Sequence, residues 1–310
     1  MRSMVVSIFL AIFAFCCANA QQVPRLTYAI KEKDTLWVDQ YKAKGPANGI
    51  SVLFVHGGAF TGGDPANQTP MADGLTNLGY QVFVIKYRLY LKGKSFGCET
   101  ATPEKLKAIR LAVEDAADAT KYLTIHAVAL QVDTTKIFIA GSSAGAEAIL
   151  NLVYNPFVRK GDKTYKPFPY AGALSFAGAV LDINNIDARP PLPLFLMHGT
   201  NDQLVPYGTS AHRFCKAVDA GWMMLFGAHT LYEAFQKRNW PVVLYTYEGK
   251  GHEVSNYMFR KFKEMDEFMK LAVQGFSVPI SHIVVKKKSK IKIVTGVPHT
   301  RSPLASECIL

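Results

Sequence analysis

Six short apolar runs, at 51–56, 81–87, 136–140, 171–176, 194–198 and 242–247, recur along this chain with helix-like stretches between them. No other feature restricts the fold as much. The runs are apolar continuously rather than at alternate positions, so each must be covered on both faces, as buried parallel strands are. Strands alternating with helices in this way form an α/β fold, a mostly parallel central sheet with crossover helices on both faces. The chain has the material for it: 49% of its 310 residues are hydrophobic and 19% are charged, which excludes disorder over the bulk.

Between the second and third runs the spacing predicts a long helix, with Thr102 as N-cap and Pro103 at the first helical position. Its apolar face is Leu106, Ile109, Val113, Ala116, Ala117, Thr120 and Leu123. Further helices are expected at 144–154, 211–220 and 254–270. Two segments break the regular pattern. Residues 155–170 carry Pro156, Pro167 and Pro169 among Phe157, Tyr165, Phe168 and Tyr170, and read as a proline-punctuated insertion. Beyond 276 the pattern gives way to Lys286, Lys287, Lys288, Lys290, Lys292 and Arg301 against the single acid Glu307. That stretch, 276–310, reads as a basic tail, disordered or loosely attached. It supplies much of the formal net charge of +11, and the rest has neither the one-sided distribution nor the recognition motif of a nucleic-acid binder.

Residues 1–20 read as a signal peptide: Arg2, an apolar run from Met4 to Phe15 broken by Ser7, then Ala18-Asn19-Ala20 with cleavage before Gln21. The run is too short to span a bilayer. Residues 21–275 then read as the exported main domain, secreted or periplasmic. Cys16 and Cys17 admit a lipoprotein alternative, against which Phe15 stands where a small residue should precede Cys16. After cleavage Cys98, Cys215 and Cys308 remain. An exported compartment permits one bridge, with Cys98 and Cys215 the first candidates and two buried thiols the alternative. Cys308 lies one position too late for prenylation.

Gly141-Ser142-Ser143-Ala144-Gly145 follows the run 136–140 and opens a helical pattern. A sharp strand-to-helix turn lifts its middle residue to the carboxyl edge of the sheet, with glycines where side chains would collide. Ser143 is the candidate nucleophile. A serine hydroxyl needs an oriented base, so a carboxylate and a histidine should follow in that order. Asp202, in His198-Gly199-Thr200-Asn201-Asp202, follows the run 194–198 directly, whereas Asp162, Asp182, Asp187 and Asp219 do not follow a strand so closely. His252, in Glu248-Gly249-Lys250-Gly251-His252, lies in a glycine-containing loop after the last run. The first run closes in His56-Gly57-Gly58-Ala59-Phe60, where small residues let main-chain N–H groups approach a developing oxyanion. Gly58 and Ala144 are the expected donors, with Gly57 or Ala59 as the third. His56 is read as a brace for this loop. Serine, carboxylate and histidine supply their own base and no ligand cluster has metal spacing, so neither metal nor organic cofactor is expected.

With these four elements in order, residues 30–272 resemble an α/β-hydrolase, and more narrowly the secreted bacterial carboxylesterases with a His-Gly-Gly oxyanion motif. Relatives of hormone-sensitive lipase and the acetylxylan and feruloyl esterases belong there. The resemblance implies a triad of Ser143, Asp202 and His252 and an acyl-enzyme on Ser143. It also implies an opening strand at 36–41 and a structural role for Tyr87-Arg88-Leu89. The chain departs from the pattern at Ser142, where relatives usually carry an acidic residue or His, and at Ala59, the third glycine of the longer motif. The expected substrate is a small-molecule or polysaccharide-linked ester with a short acyl group. A peptidase or amidase on the same fold, or a non-catalytic binding protein, is the alternative. Pocket walls are expected after Phe60 and at 95–100, 155–170 and 221–226, with Tyr165 and Trp222 as candidates for stacking on sugars. Oligomeric state is left open.

Overall fold

The structure is a computed structural model that describes residues 23–155, 167–188, 191–275, 278–286 and 291–295. Residues 1–20, most of the 155–170 insertion and Cys308 therefore lie outside the described residues. The strands are β1 (Arg25–Lys31), β2 (Asp34–Tyr41), β3 (Ser51–Val55), β4 (Gln81–Ile85), β5 (Ile137–Ser142), β6 (Gly172–Phe176), β7 (Ala179–Val180), β8 (Leu194–Gly199), β9 (Thr209–Ala211), β10 (Met224–Gly227), β11 (Val242–Tyr247), β12 (Ser281–Val285) and β13 (Ile291–Thr295). The helices are α1 (Thr69–Asn77), α2 (Thr102–Ile125), the one-turn α3 (Ala127–Leu130), α4 (Ala144–Tyr154), α5 (Ala228–Lys237) and α6 (Phe262–Val273). Each of the six apolar runs is a strand.

Ten strands form one sheet in the order β1-β2-β4-β3-β5-β6-β8-β11-β12-β13. From β4 to β12 neighbours are parallel, and the two ends are closed by antiparallel pairs. The continuous apolar character of the central strands has a direct cause. In β3, Leu53 and Val55 enter one core, with the buried faces of α2, α4 and α5. Val52 and Phe54 enter the other, with α1 and α6. Because β3, β5, β8 and β11 run the same way, the segments after Val55, Ser142, Gly199 and Tyr247 emerge along one edge. All four chemistry-bearing motifs follow those residues. No helix among the described residues is long and apolar enough to cross a membrane.

The helix expected at 211–220 does not form. Ala211 ends β9, Arg213 and Phe214 take left-handed backbone angles (φ 54° and 53°), and Cys215 is bonded to Cys98. The segment is held instead by bonds to other elements: His212 N–H donates to the Met223 carbonyl and Arg213 N–H to the Leu204 carbonyl, while Thr102 Oγ1 donates to the Ala220 and Trp222 carbonyls and Lys105 Nζ to that of Gly221. Tertiary bonds override the helical spacing here. With its hydroxyl so engaged Thr102 is the first residue of α2 and Ala101 its cap, one position earlier than expected, and Leu106 is 41% exposed. The last helix is interrupted, with a 3-10 segment (His252–Arg260) before α6.

The largest correction concerns the tail. Ser281–Val285 is a strand paired in parallel with β11, from Val243↔Ser281 to Tyr247↔Val285, and β13 pairs with it. The β-branched residues that interrupt the lysines extend the sheet at an edge that β11 would otherwise leave open. The domain thus continues past 275.

The Cys98–Cys215 bridge closes a separation of 117 residues. A constraint on so long a loop of the unfolded chain is worth about 3–5 kcal/mol. Reduction, or Cys98→Ser with Cys215→Ser, is expected to lower the thermal midpoint by roughly 10 °C. An unchanged midpoint in calorimetry would show that the bridge is thermodynamically idle.

Candidate active site

Ser143 caps α4 with φ 52° and ψ −123°, a sparsely populated conformation for a residue with a Cβ. It is held there by its N–H, which donates to the Phe176 carbonyl at 2.8 Å. The glycines serve the purpose expected of them. A Cβ on Gly141 would meet the Gly145 carbonyl at 2.5 Å, and one on Gly145 would collide with the Val55 carbonyl.

His252 Nε2 lies 2.7 Å from Ser143 Oγ, and His252 Nδ1 lies 2.7 Å from Asp202 Oδ2. An ionised carboxylate only accepts, so Nδ1 carries the ring proton and Nε2 is free to accept from the serine hydroxyl. Asp202 is 1% exposed. Its Oδ1 accepts from the N–H groups of Leu204 (2.9 Å) and Val205 (3.0 Å). Its Oδ2 is also 3.2 Å from Nε2 of the fully buried His198. Burial opposes its ionisation, but hydrogen bonds from His198 and His252 outweigh that and hold Asp202 well below the usual carboxylate range.

The rival aspartates are committed elsewhere. Asp182 accepts from Asn184 and Asn185, Asp187 pairs with Arg238, and Asp219 accepts from the Lys216 N–H. Asp162 lies outside the described residues.

The segment after β3 passes close to the serine: a Cβ on Gly57 would be 3.2 Å from that of Ser143. Gly58 has φ +122°, which only glycine adopts freely, and Ala59 and Phe60 follow in the left-handed region. Among the described residues, the N–H groups of Gly58, Ala59 and Ala144 have no backbone acceptor, so they are available to a ligand oxygen. His56 Nδ1 donates to the Gly57 carbonyl at 2.6 Å and Tyr87 Oη to the His56 carbonyl at 3.1 Å, which brace the loop. Arg88 is held by Asp115 of α2.

Beside Ser143 is a cavity of about 40 Å³. Its apolar lining is Ala59, Phe96, Ala144, Leu204 and Val205, and its polar lining is Ser143, Glu147, His212 and Arg213. Phe96 comes from an expected wall. The 221–226 segment does not line the cavity, because Met223 and Leu225 are buried in the core and Trp222 is 41% exposed. Tyr165 lies outside the described residues. The polar end was not foreseen. A signal existed for Glu147, a carboxylate one turn after Ser143 in the otherwise mostly apolar α4, and for Lys105, four residues before Ile109 on the apolar face of α2. Nothing local marked Arg213, His212 or His198.

Burial pushes Glu147 up to about 8, and burial with the nearby cations Lys105 and Arg213 brings His212 down to about 3. Between its ordinary 4.5 and about 8, Glu147 binds its proton in the folded chain but not in the unfolded one, so its contribution to stability is lost as pH rises through that window. His212 acts oppositely, losing its contribution as pH falls from 6.5 towards about 3. From pH 6.5 to 8 only the Glu147 slope remains, and stability is expected to drop by on the order of 2 kcal/mol. Denaturant titrations across this range should show the drop, and Glu147→Gln should remove it. An equal slope in both proteins would reject the assignment.

A serine on the turn after β5, an aspartate after β8 and a histidine after β11, on a mostly parallel sheet ordered as above, define the chain as an α/β-hydrolase by fold. The comparisons agree. The BD-FAE model, of an α/β-hydrolase family, matches residues 39–168. Esterase 2 of the planctomycete Thermogutta terrifontis, phosphorylated by paraoxon, superposes with a TM-score of 0.61 at 21% identity over 83% of this chain and 96% of that one. Its propionate-bound form gives 0.60 at 20%, and its butyrate-bound form 0.59 at 19%, each over 83% and 96% of the two chains. Among curated proteins no relative of this chain is found.

Proposed function

We propose that this chain is an exported serine esterase that hydrolyses short-acyl carboxylic esters through an acyl-enzyme on Ser143. The observation that carries this reading is the unbroken line from Ser143 Oγ through both nitrogens of His252 to Asp202 Oδ2, at 2.7 Å for each link. In this scheme His252 Nε2 takes the hydroxyl proton as Oγ attacks the ester carbonyl, and Asp202 stays ionised to stabilise the imidazolium. The oxyanion falls to the N–H groups of Gly58 and Ala144, with Gly57 or Ala59 third. The imidazolium then protonates the departing alkoxide. Water, deprotonated by the same nitrogen, cleaves the acyl-enzyme, and acid and free serine result.

Short acyl groups are supported by the size of the cavity, which holds about three water-sized groups. They are also supported by the propionate and butyrate bound to the Thermogutta esterase. The same smallness favours acetyl over feruloyl groups if the alcohol is a polysaccharide. Export is supported by residues 1–20 and by a bridge of the kind that persists in oxidising compartments.

Treatment with paraoxon is the direct test, read by mass spectrometry of the digested protein. One diethylphosphoryl group on the peptide that carries Ser143, with turnover of acetyl to butyryl esters, is expected. Labelling elsewhere or none would reject Ser143 as nucleophile. Faster cleavage of matched anilides than of esters would move the chain to the amidases, and no turnover at all would favour a binding role.

A further inference from the structure

The cavity beside Ser143 is lined by a guanidinium whose Nε is buried without a hydrogen-bond partner. Arg213 Nε is buried with no hydrogen-bond partner, and so is Oε1 of Glu147, a residue 2% exposed. Both line the cavity that Ser143 opens into. No ion pair joins them among the described residues. The other charges near them do not cancel the guanidinium. Lys105 adds a second cation, its Nζ donating to the Gly221 carbonyl at 2.8 Å. Asp202 is already engaged by two histidines, and Glu99 lies exposed at the surface. Arg213 is also fixed in place: it and Phe214 are held in the left-handed region next to Cys215, which is bonded to Cys98.

We propose that this cavity receives the acyl part of the substrate and that Arg213 binds a carboxylate on it, so that the preferred substrates are half-esters of short dicarboxylic acids. The inference rests on the serine esterase reading and names the substrate class of the same site. So small a cavity suits a carboxylate one or two carbons from the reacting carbonyl, as in a malonyl or succinyl group. A guanidinium whose Nε has no partner can meet the planar fork of a carboxylate. Burial keeps Glu147 protonated at neutral pH, so its carboxyl offers the same anion a hydrogen bond instead of repelling it. His212, brought down to about 3, remains a neutral wall.

The test compares monoethyl malonate with ethyl isovalerate, whose acyl groups have the same number of non-hydrogen atoms, by ethanol release. Wild type should prefer the malonate by about tenfold to a hundredfold in kcat/KM. Arg213→Met should lower that ratio at least tenfold and Arg213→Lys should retain part of it. The ratio is insensitive to general damage to the fold, and a merely structural arginine would leave it unmoved. A wild-type ratio below one, or equal ratios in wild type and Arg213→Met, overturns the inference while the esterase reading stands. If neither ester nor any acetyl ester is turned over, the esterase reading fails. The anion site is then decided by heat denaturation of Ser143→Ala protein with malonate. A rise in midpoint that isovalerate does not reproduce and Arg213→Met abolishes supports it, and no rise rejects it.

Discussion

Ser143→Ala is expected to lower kcat/KM for acetyl and propionyl esters by on the order of 10⁴- to 10⁶-fold, with the thermal midpoint nearly unchanged. Only Oγ is removed, and alanine inherits the same positive φ and the same N–H donation to the Phe176 carbonyl. Residual hydrolysis would come from the unaltered N–H groups of Gly58 and Ala144 and from substrate binding. Steady-state rates on both esters, with midpoints from calorimetry, decide the matter. A folded variant that keeps a tenth of the activity would exclude a covalent step on this residue.

Asp202→Asn should cost about 10³- to 10⁴-fold, mainly in kcat. Its carbonyl oxygen can still accept the N–H groups of Leu204 and Val205, which turns the new amide NH₂ towards His252 Nδ1. To satisfy that donor the imidazole must move its proton to Nε2, and the group facing Ser143 Oγ can no longer act as a base. The amide would also face His198 Nε2, a second donor, in a fully buried site. Two opposed donors there cost about 1–3 kcal/mol of stability. A loss of activity confined to KM, or none, would show that the carboxylate does not orient His252. The double variant with His198→Gln separates the two effects, since it relieves the opposed donors without restoring the base.

Much of this site was readable before any coordinates because its chemistry is tied to local pattern. A strand, a tight turn and a helix are contiguous in the chain, so Ser143 and the glycines around it declare themselves within nine residues or so. Asp202 and His252 were selected by position too, as the aspartate that follows an apolar run most directly and the histidine in the glycine-containing loop after the last run. Parallel strands bring such ends to one edge whatever their separation in sequence. The strands and α2, α4 and the sheet class followed from periodicity, which is likewise local.

Where local spacing and tertiary contact disagreed, contact prevailed. Residues 211–220 have helical spacing, but His212 and Arg213 donate their N–H groups to the carbonyls of Met223 and Leu204, and Cys215 is bonded to Cys98. The basic tail looked solvated because its lysines dominate its composition, yet its β-branched residues found the open edge of β11. The apolar and polar composition of the chain determined that there would be a doubly covered sheet with Ser143, Asp202 and His252 at its carboxyl edge. The charges of the cavity beside them were decided only by folding. Lys105 and His212, 107 residues apart, and Glu147 acquire their states from mutual approach and loss of water, and no periodicity along a chain encodes either.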